Sequence, residues 1–218
     1  MTTFALITEG ITDQVILEYI VDEVCGELFD SVDINPLQPI RDATDAVTAP
    51  HGGWELALEY CGSRLHEALI VNDYVIVHID TDCGDDLHFG LQLTEGGEDR
   101  KYEDLIEDAT KIIMKHVGES VPEPLRANIL FAIAVHSLES WILLYMFNIN
   151  KPKNSFNHLA RELTRTNRGK LTKDVQCYTA LARNMKRRKL QALALRKNSF
   201  GVFLLSLCSL PPDRQLDG

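Results

Sequence analysis

Short apolar runs that stop at acidic residues organise this chain. Phe4-Ala5-Leu6-Ile7 ends at Thr8-Glu9-Gly10, and Tyr74-Val75-Ile76-Val77-His78-Ile79 ends at Asp80. Ile129-Leu130-Phe131-Ala132-Ile133-Ala134-Val135 runs into His136-Ser137-Leu138-Glu139. Continuous runs of this length, rich in β-branched residues, read as strands buried on both faces. Val32 to Ile40 contains a fourth strand, which Pro36 and Pro39 make either an edge strand or an irregular one. Between these runs the apolar period changes to three and four residues. Val15, Ile16, Tyr19, Ile20, Val24 and Leu28 follow Thr12, a candidate cap, and Trp54 to Ile70 and Tyr102 to Val117 continue the pattern. Strands alternating with helices predict an α/β fold with a mostly parallel four-stranded sheet flanked by helices and joined by right-handed crossovers. Asp42 to Gly53 reads as a loop, and Thr81 to Lys101 as a polar stretch without regular structure.

A very apolar helix is expected from His136 to Phe147, and Asn148 to Asn157 is the expected boundary. Beyond it, Phe156 to Thr166, Lys173 to Leu195 and Ser199 to Leu210 read as helices. The sequence therefore divides into an α/β domain over 1–150, which holds the acidic strand ends, and a basic helical extension over 151–218. Charge divides at the same place. Residues 1–150 carry 28 acidic and 7 basic side chains, whereas 151–218 carry 15 basic and 4 acidic ones. Such asymmetry predicts contact of the basic part with a polyanion, or its docking on the acidic part.

No apolar run reaches the roughly 18 residues that span a membrane. The amino terminus, Met1-Thr2-Thr3-Phe4, lacks the basic region of a secretory signal. Five cysteines (Cys25, Cys61, Cys83, Cys177 and Cys208) are scattered without Cys-x-x-Cys spacing. That pattern argues against a disulfide framework or zinc knuckle and predicts a cytoplasmic protein.

In a parallel α/β sheet the strand C-termini converge on one edge, where ligands bind. Glu9, Asp80, Asp82 and Glu139 all follow strands, and Asp13 lies one turn into the first helix. Carboxylates gathered there repel one another unless a cation lies between them, and hard oxygen ligands select a divalent metal such as Mg²⁺. If Asp80 and Asp82 lie on one extended segment, both face the same side, together with His78. Asp13 and Glu139 have a second reading as helix N-terminal acids stabilised by the helix dipole. Asp85 and Asp86 are candidates for a second ion or for solvated loop acids. Trp141 reads as core.

Glu9-Gly10-Ile11-Thr12-Asp13 after a first strand, with Asp80-Thr81-Asp82 after a later one, resembles the Toprim domain of topoisomerases, bacterial primases, small ribonucleases and OLD-type nucleases. The resemblance covers residues 1 to about 147. It implies a metal site of Glu9, Asp80, Asp82 and Asp13 around Mg²⁺ or Mn²⁺. His136-Ser137-Leu138-Glu139-Ser140-Trp141 and Asn198-Ser199-Phe200-Gly201-Val202-Phe203 resemble strings in small stand-alone bacterial Toprim proteins, many encoded near phage-defence genes. The G-x-x-x-x-G-K-[ST] loop that accompanies Toprim in OLD-type proteins is missing from this sequence, a departure from that pattern, and the resemblance implies a partner ATPase or other defence protein.

The expected activity is metal-dependent hydrolysis of nucleic-acid phosphodiester bonds, with Glu9, Asp80, Asp82, Glu139 and His78 as catalytic residues. His136 is a further acid–base candidate beside the acidic motifs. Arg165, Arg168, Lys170, Lys173, Lys186, Arg187, Arg188 and Lys189 are expected to contact the nucleic acid, DNA or RNA, through its phosphates. The alternative is a non-catalytic Toprim module that binds nucleic acid or protein and acts with a partner.

Overall fold

The computed structural model describes residues 1–40 and 53–212. Its centre is a four-stranded, all-parallel sheet built from β1 (Thr2–Ile7), β2 (Val32–Gln38), β3 (Tyr74–Asp80) and, after a short hairpin, β6 (Ile129–Ala134). The strand order is β2-β1-β3-β6. Helix α1 (Ile11–Cys25) carries the chain outward from β1 to edge strand β2 on one face. Helices α2 (Trp54–Ser63) and α3 (Leu65–Val71) then cross the other face to β3. The direction of winding thus reverses between β1 and β3, and the crevice beyond their C-terminal ends is the topological switch point.

Strand alternation sorts the core into two layers. Phe4, Leu6, Ile76, Leu130, Ala132 and Ala134 face the α1 side. Ala5, Ile7, Val75, Val77, Ile79, Ile129 and Ile133 face α2, α3 and α4 (Tyr102–Val117). Helix α5 (Glu123–Arg126) is a single turn before β6. On the α1 side lie α6 (Glu139–Phe147), α7 (Ser155–Arg165), α8 (Val175–Ala182), α9 (Arg187–Leu193) and α10 (Ser199–Cys208). Leu159, Tyr178, Leu190, Phe200 and Phe203 from these last helices share one core with Phe4 and Leu6 of the sheet. The chain is therefore divided in charge near residue 150 but continuous in packing. Being covered on both sides, α6 is apolar all round, and Trp141 at its start is 1% exposed, stacked on Phe200 and Phe203.

Several local expectations change. Helix α1 is capped at Gly10 rather than Thr12. The 54–70 helix breaks at Arg64, and the 173–195 helix breaks between Ala182 and Arg187. Within 81–101, a 3₁₀ turn (Thr81–Asp85) precedes a hairpin of β4 (Thr94–Glu95) and β5 (Glu98–Asp99). Its Gly96-Gly97 turn takes φ values of 61° and 86°, which glycine adopts without strain. Apart from Gly53, the loop expected over Asp42 to Gly53 lies outside the described residues. Among the described residues no helix is long and apolar enough to cross a membrane.

Candidate carboxylate site

Glu9 leaves β1 at the switch point and reaches sideways to β3. Its Oε1 accepts the backbone N–H of Asp80 at 2.7 Å, which fixes the two motifs together across 71 residues of sequence. Gly10 then permits a tight turn into α1. The Asp13 carboxylate folds back so that Oδ2 accepts the Gly10 N–H at 2.9 Å, and a Cβ at position 10 would stand 3.1 Å from that oxygen. Asp13 thus performs the helix-end role foreseen for it while lying beside the other acids.

Asp80 is the last residue of β3, and its Oδ1 accepts the N–H of Leu138 at 3.0 Å in the loop after β6. The same loop is tied to the 3₁₀ turn by two more bonds: His136 N–H to Thr81 Oγ1 at 2.8 Å, and Asp82 N–H to the His136 carbonyl at 2.9 Å. His136 has a φ of 64°, a left-handed backbone that a residue with a Cβ adopts at a cost of order 1–3 kcal/mol. Asp82 does not continue the extended strand, so its relation to Asp80 is not the strand alternation expected. The 3₁₀ turn carries it, and its side chain is exposed at the mouth of the site.

Glu139 opens α6 and is buried. Ser137 donates to Oε2 at 2.5 Å, Tyr178 of α8 donates to Oε1, and Ser155 of α7 hydrogen-bonds Ser137 at 2.6 Å. Sequence reasoning missed Tyr178 and Ser155, since neither lies in an acidic motif and only the packing of α7 and α8 brings them in. His78 is fully buried, with Nε2 3.4 Å from Asp80 Oδ1, and neither ring nitrogen has a hydrogen-bond partner among the described residues. Trp141 meets its ring edge-on at 6.0 Å.

Electrostatics bind these residues into one cluster. Burial, with the charges of Asp13 and Asp82, raises the Glu9 carboxyl to about 8. Burial and Glu139 raise Asp13 to about 7. Asp80 is pushed well above the carboxylate range by burial and by Asp13, Glu9, Glu139 and Asp82, and Asp82 is raised by burial and Glu139. Burial pushes His78 down to about 3, so its ring is neutral at physiological pH. Positive charge opposes the cluster: that of Lys173, in the segment before α8, favours the ionised forms of Glu9, Asp13 and Asp82, and His136 acts the same way on Asp82. Its ammonium also lies 5.7 Å from the Phe156 ring centroid.

The remaining basic residues scatter. Arg165 pairs with Glu162 at 2.7 Å on its own helix. Lys186 bonds Glu23 of α1 at 3.0 Å, and Arg187 pairs with Glu27 and donates its backbone N–H to Glu23 at 3.0 Å. Arg188 lines a hollow with these same acids. Lys189 lies over the Tyr145 ring at 4.6 Å and Arg168 over Phe147 at 5.8 Å. Arg168 and Lys170 line a separate cleft with Thr172, Gln176 and Asn184. Asp86 accepts the His88 N–H at 2.8 Å, an ordinary turn role. The side chain of Asp85 is outside the described set.

Among the described residues, no three His, Cys, Asp or Glu side chains converge as a preformed metal cage. The donor chemistry nevertheless fits a hard divalent cation. All the donors are carboxylate oxygens, and their mutual repulsion is what a bound cation relieves. Mg²⁺ commonly keeps several waters and takes only one or two protein carboxylates, so a closed cage is not required. Comparison with protein-family models, curated proteins and solved structures finds no match to this chain.

Proposed function

We propose that this chain is a Toprim-like, Mg²⁺- or Mn²⁺-dependent phosphodiesterase that hydrolyses nucleic acid. The observation that carries the reading is the bond from Glu9 to the Asp80 amide at the switch point, which gathers acids from three segments into one electrostatically coupled cluster. Glu9, Asp80, Asp13 and Asp82 would hold the cation. The chemistry a divalent cation supplies there is polarisation of the phosphodiester and activation of water. Asp82, at the open mouth, meets the substrate side first. Glu139 is held by two hydroxyl donors and lies close enough to Asp13, Asp80 and Asp82 to oppose their ionisation. Lys173 offsets the field that the acidic residues would otherwise present to a polyanion. Neutral His78 lies behind Asp80, where a ring N–H turned toward Oδ1 would position that carboxylate, while burial keeps the ring from taking up a proton. A phage-defence role and a cytoplasmic setting follow from the resemblance and the cysteine pattern alone.

The test is incubation of the purified chain with DNA and RNA panels in Mg²⁺, Mn²⁺ and EDTA. Cleavage is expected only with cation, and is expected to disappear in Glu9→Ala and Asp80→Ala. Cleavage that persists in both variants removes this site from the reaction. The missing preformed cage and the internal pairing of Lys186 and Arg187 favour a second reading, a non-catalytic binding module acting with a partner. Calorimetry with Mn²⁺ separates the two: saturable binding that Asp82→Ala abolishes belongs to the enzyme.

A further inference from the structure

A cavity of about 210 Å³ opens beside the carboxylate cluster, between the start of α4, the loop after β6 and the start of α10. His136 lines it. This residue is also bonded through its backbone to Thr81 and Asp82, and its charge acts on the Asp82 carboxylate. Cavity and cluster are therefore neighbours held in fixed relation by one strained residue. Tyr102, Leu144 and the edge of the buried Trp141 form part of an apolar wall, and Ser140 and Asn150 contribute a hydroxyl and an amide. The Asn198 oxygen is committed to the Gly201 N–H at 2.9 Å, so that its NH₂ remains, and Asp99 of the lining is paired with Lys153. Lys197 lies exposed at the rim, whereas the Arg100 guanidinium is committed to Asp108 at 2.6 Å and to the Gln92 carbonyl at 2.9 Å.

Three features select the ligand class. The volume lies below the roughly 300–1,000 Å³ of drug-sized pockets, so a fragment-sized group fits. An apolar wall containing aromatic rings suits a flat, weakly polar body. Amides and a hydroxyl offer donors and acceptors together, matching the mixed edge of a nucleobase rather than the acceptor-only surface of a phosphate. We propose that this cavity seats one unpaired nucleobase of the substrate, next to the phosphodiester held at the carboxylates. The assignment rests on the nuclease reading for its biological sense, but not for its test. A base seated there fixes which phosphodiester reaches the carboxylates and requires a single-stranded or splayed nucleotide at that point.

The experiment titrates the full chain with adenosine, guanosine, cytidine and uridine by calorimetry in EDTA. Nucleosides lack phosphate and so do not report on the metal site. At least one is expected to bind saturably. Asn150→Ala is expected to weaken it at least fivefold, and Ser140→Met, which fills the cavity, to abolish it. Asp82→Asn should leave it within twofold. Should Ser140→Met fail to fold, the exposed Asn150→Ala variant decides the matter. Absence of binding by every nucleoside, or binding that neither variant weakens, overturns the cavity assignment even if metal-dependent cleavage is found. Nucleoside binding with the expected losses, in a chain that cleaves nothing in any cation, upholds the cavity and removes the nuclease reading instead.

Discussion

Replacing Glu9 by Gln should make the protein more stable in mildly alkaline solution while removing one carboxylate of the proposed cation site. The Glu9 carboxyl titrates near 8 in the fold against 4.5 unfolded, because burial and the Asp13 and Asp82 charges oppose its ionisation. Between those values the folded state binds the proton more tightly. Stability is therefore fully present below about 4.5 and is lost as pH rises through about 8. At about 1.4 kcal/mol for each pH unit, the whole displacement corresponds to roughly 5 kcal/mol. Water reaching the half-buried carboxylate, and the proton it shares with Asp13 and Asp80, reduce the expected effect to roughly 2–3 kcal/mol. Glutamine keeps the shape and an oxygen that accepts the Asp80 N–H, so the change removes charge with little loss of packing.

The assay is urea unfolding in EDTA, followed by tryptophan fluorescence, from pH 5.5 to 8.5. Below pH 6.5 buried neutral His78 adds an opposite slope, because the unfolded chain takes up a proton there that the folded chain refuses. Above pH 9 the buried thiols Cys25 and Cys61, each raised to about 12, begin to contribute. The window from 7 to 8.5 therefore belongs to the carboxylates. Wild-type stability should fall across it, Glu9→Gln should flatten the fall, and saturating Mn²⁺ should restore wild type by about 2.7 kcal/mol at one hundred times its Kd. A wild-type profile that is flat or rising over this window, parallel to that of the variant, would refute the reasoning.

Tyr178→Phe leaves the buried Glu139 without one of its two hydroxyl donors and should cost about 1–3 kcal/mol in denaturant unfolding at pH 7. Trp141→Ala should cost about 3–5 kcal/mol, since the ring is 1% exposed and lies on Phe200 and Phe203. Cleavage or metal affinity should rise with pH between about 6 and 8.5, as Asp13 and then Glu9 lose their protons, and a Mn²⁺ titration by calorimetry at three pH values reads this directly. Arg168→Ala and Lys170→Ala should each lower the salt dependence of nucleic-acid binding by about one in log–log slope, whereas Lys186→Ala, already paired with Glu23, should change that slope little.

What the sequence made legible is what local pattern encodes. Tyr102–Val117 forms a helix with the boundaries its periodicity predicts, and the four strands fall where apolar runs lie. Glu9, Asp80 and Asp13 were readable because strand ends in a parallel sheet converge by topology, whatever the side chains do afterwards. The failures share another cause. Tyr145 of α6 donates its hydroxyl to the Asn184 carbonyl at 2.8 Å and accepts the Lys186 N–H at 2.8 Å. That pair of bonds secures the junction between α8 and α9, and no local spacing reports it. Asp82 was placed on a strand because Asp-x-Asp after an apolar run looks extended, but the 3₁₀ turn is fastened by the His136 carbonyl from 54 residues away. Long-range hydrogen bonds overrode local pattern at each of these points.

The same distinction explains the charge division. Counted along the chain, the basic segment looks like one nucleic-acid surface, but folding sends its charges to separate places, three of which bear on the site. Lys186 and Arg187 answer Glu23 on α1 and Glu27 in the turn that follows it, which seats the start of α9 against α1. Lys173 answers the carboxylate cluster. Arg168 and Lys170 border an open cleft formed by α7, α8 and the end of α6. The first set is consumed by folding, since a cation that pairs with a neighbouring acid releases few counterions when a polyanion arrives. The second and third sets remain beside the two places where phosphate and chain could run. Tyr178 and Ser155, the residues that hold Glu139, come from this same C-terminal segment. A truncation at residue 150 would therefore expose the sheet face and remove two hydroxyls that anchor the site, so the acidic part cannot be expected to act alone.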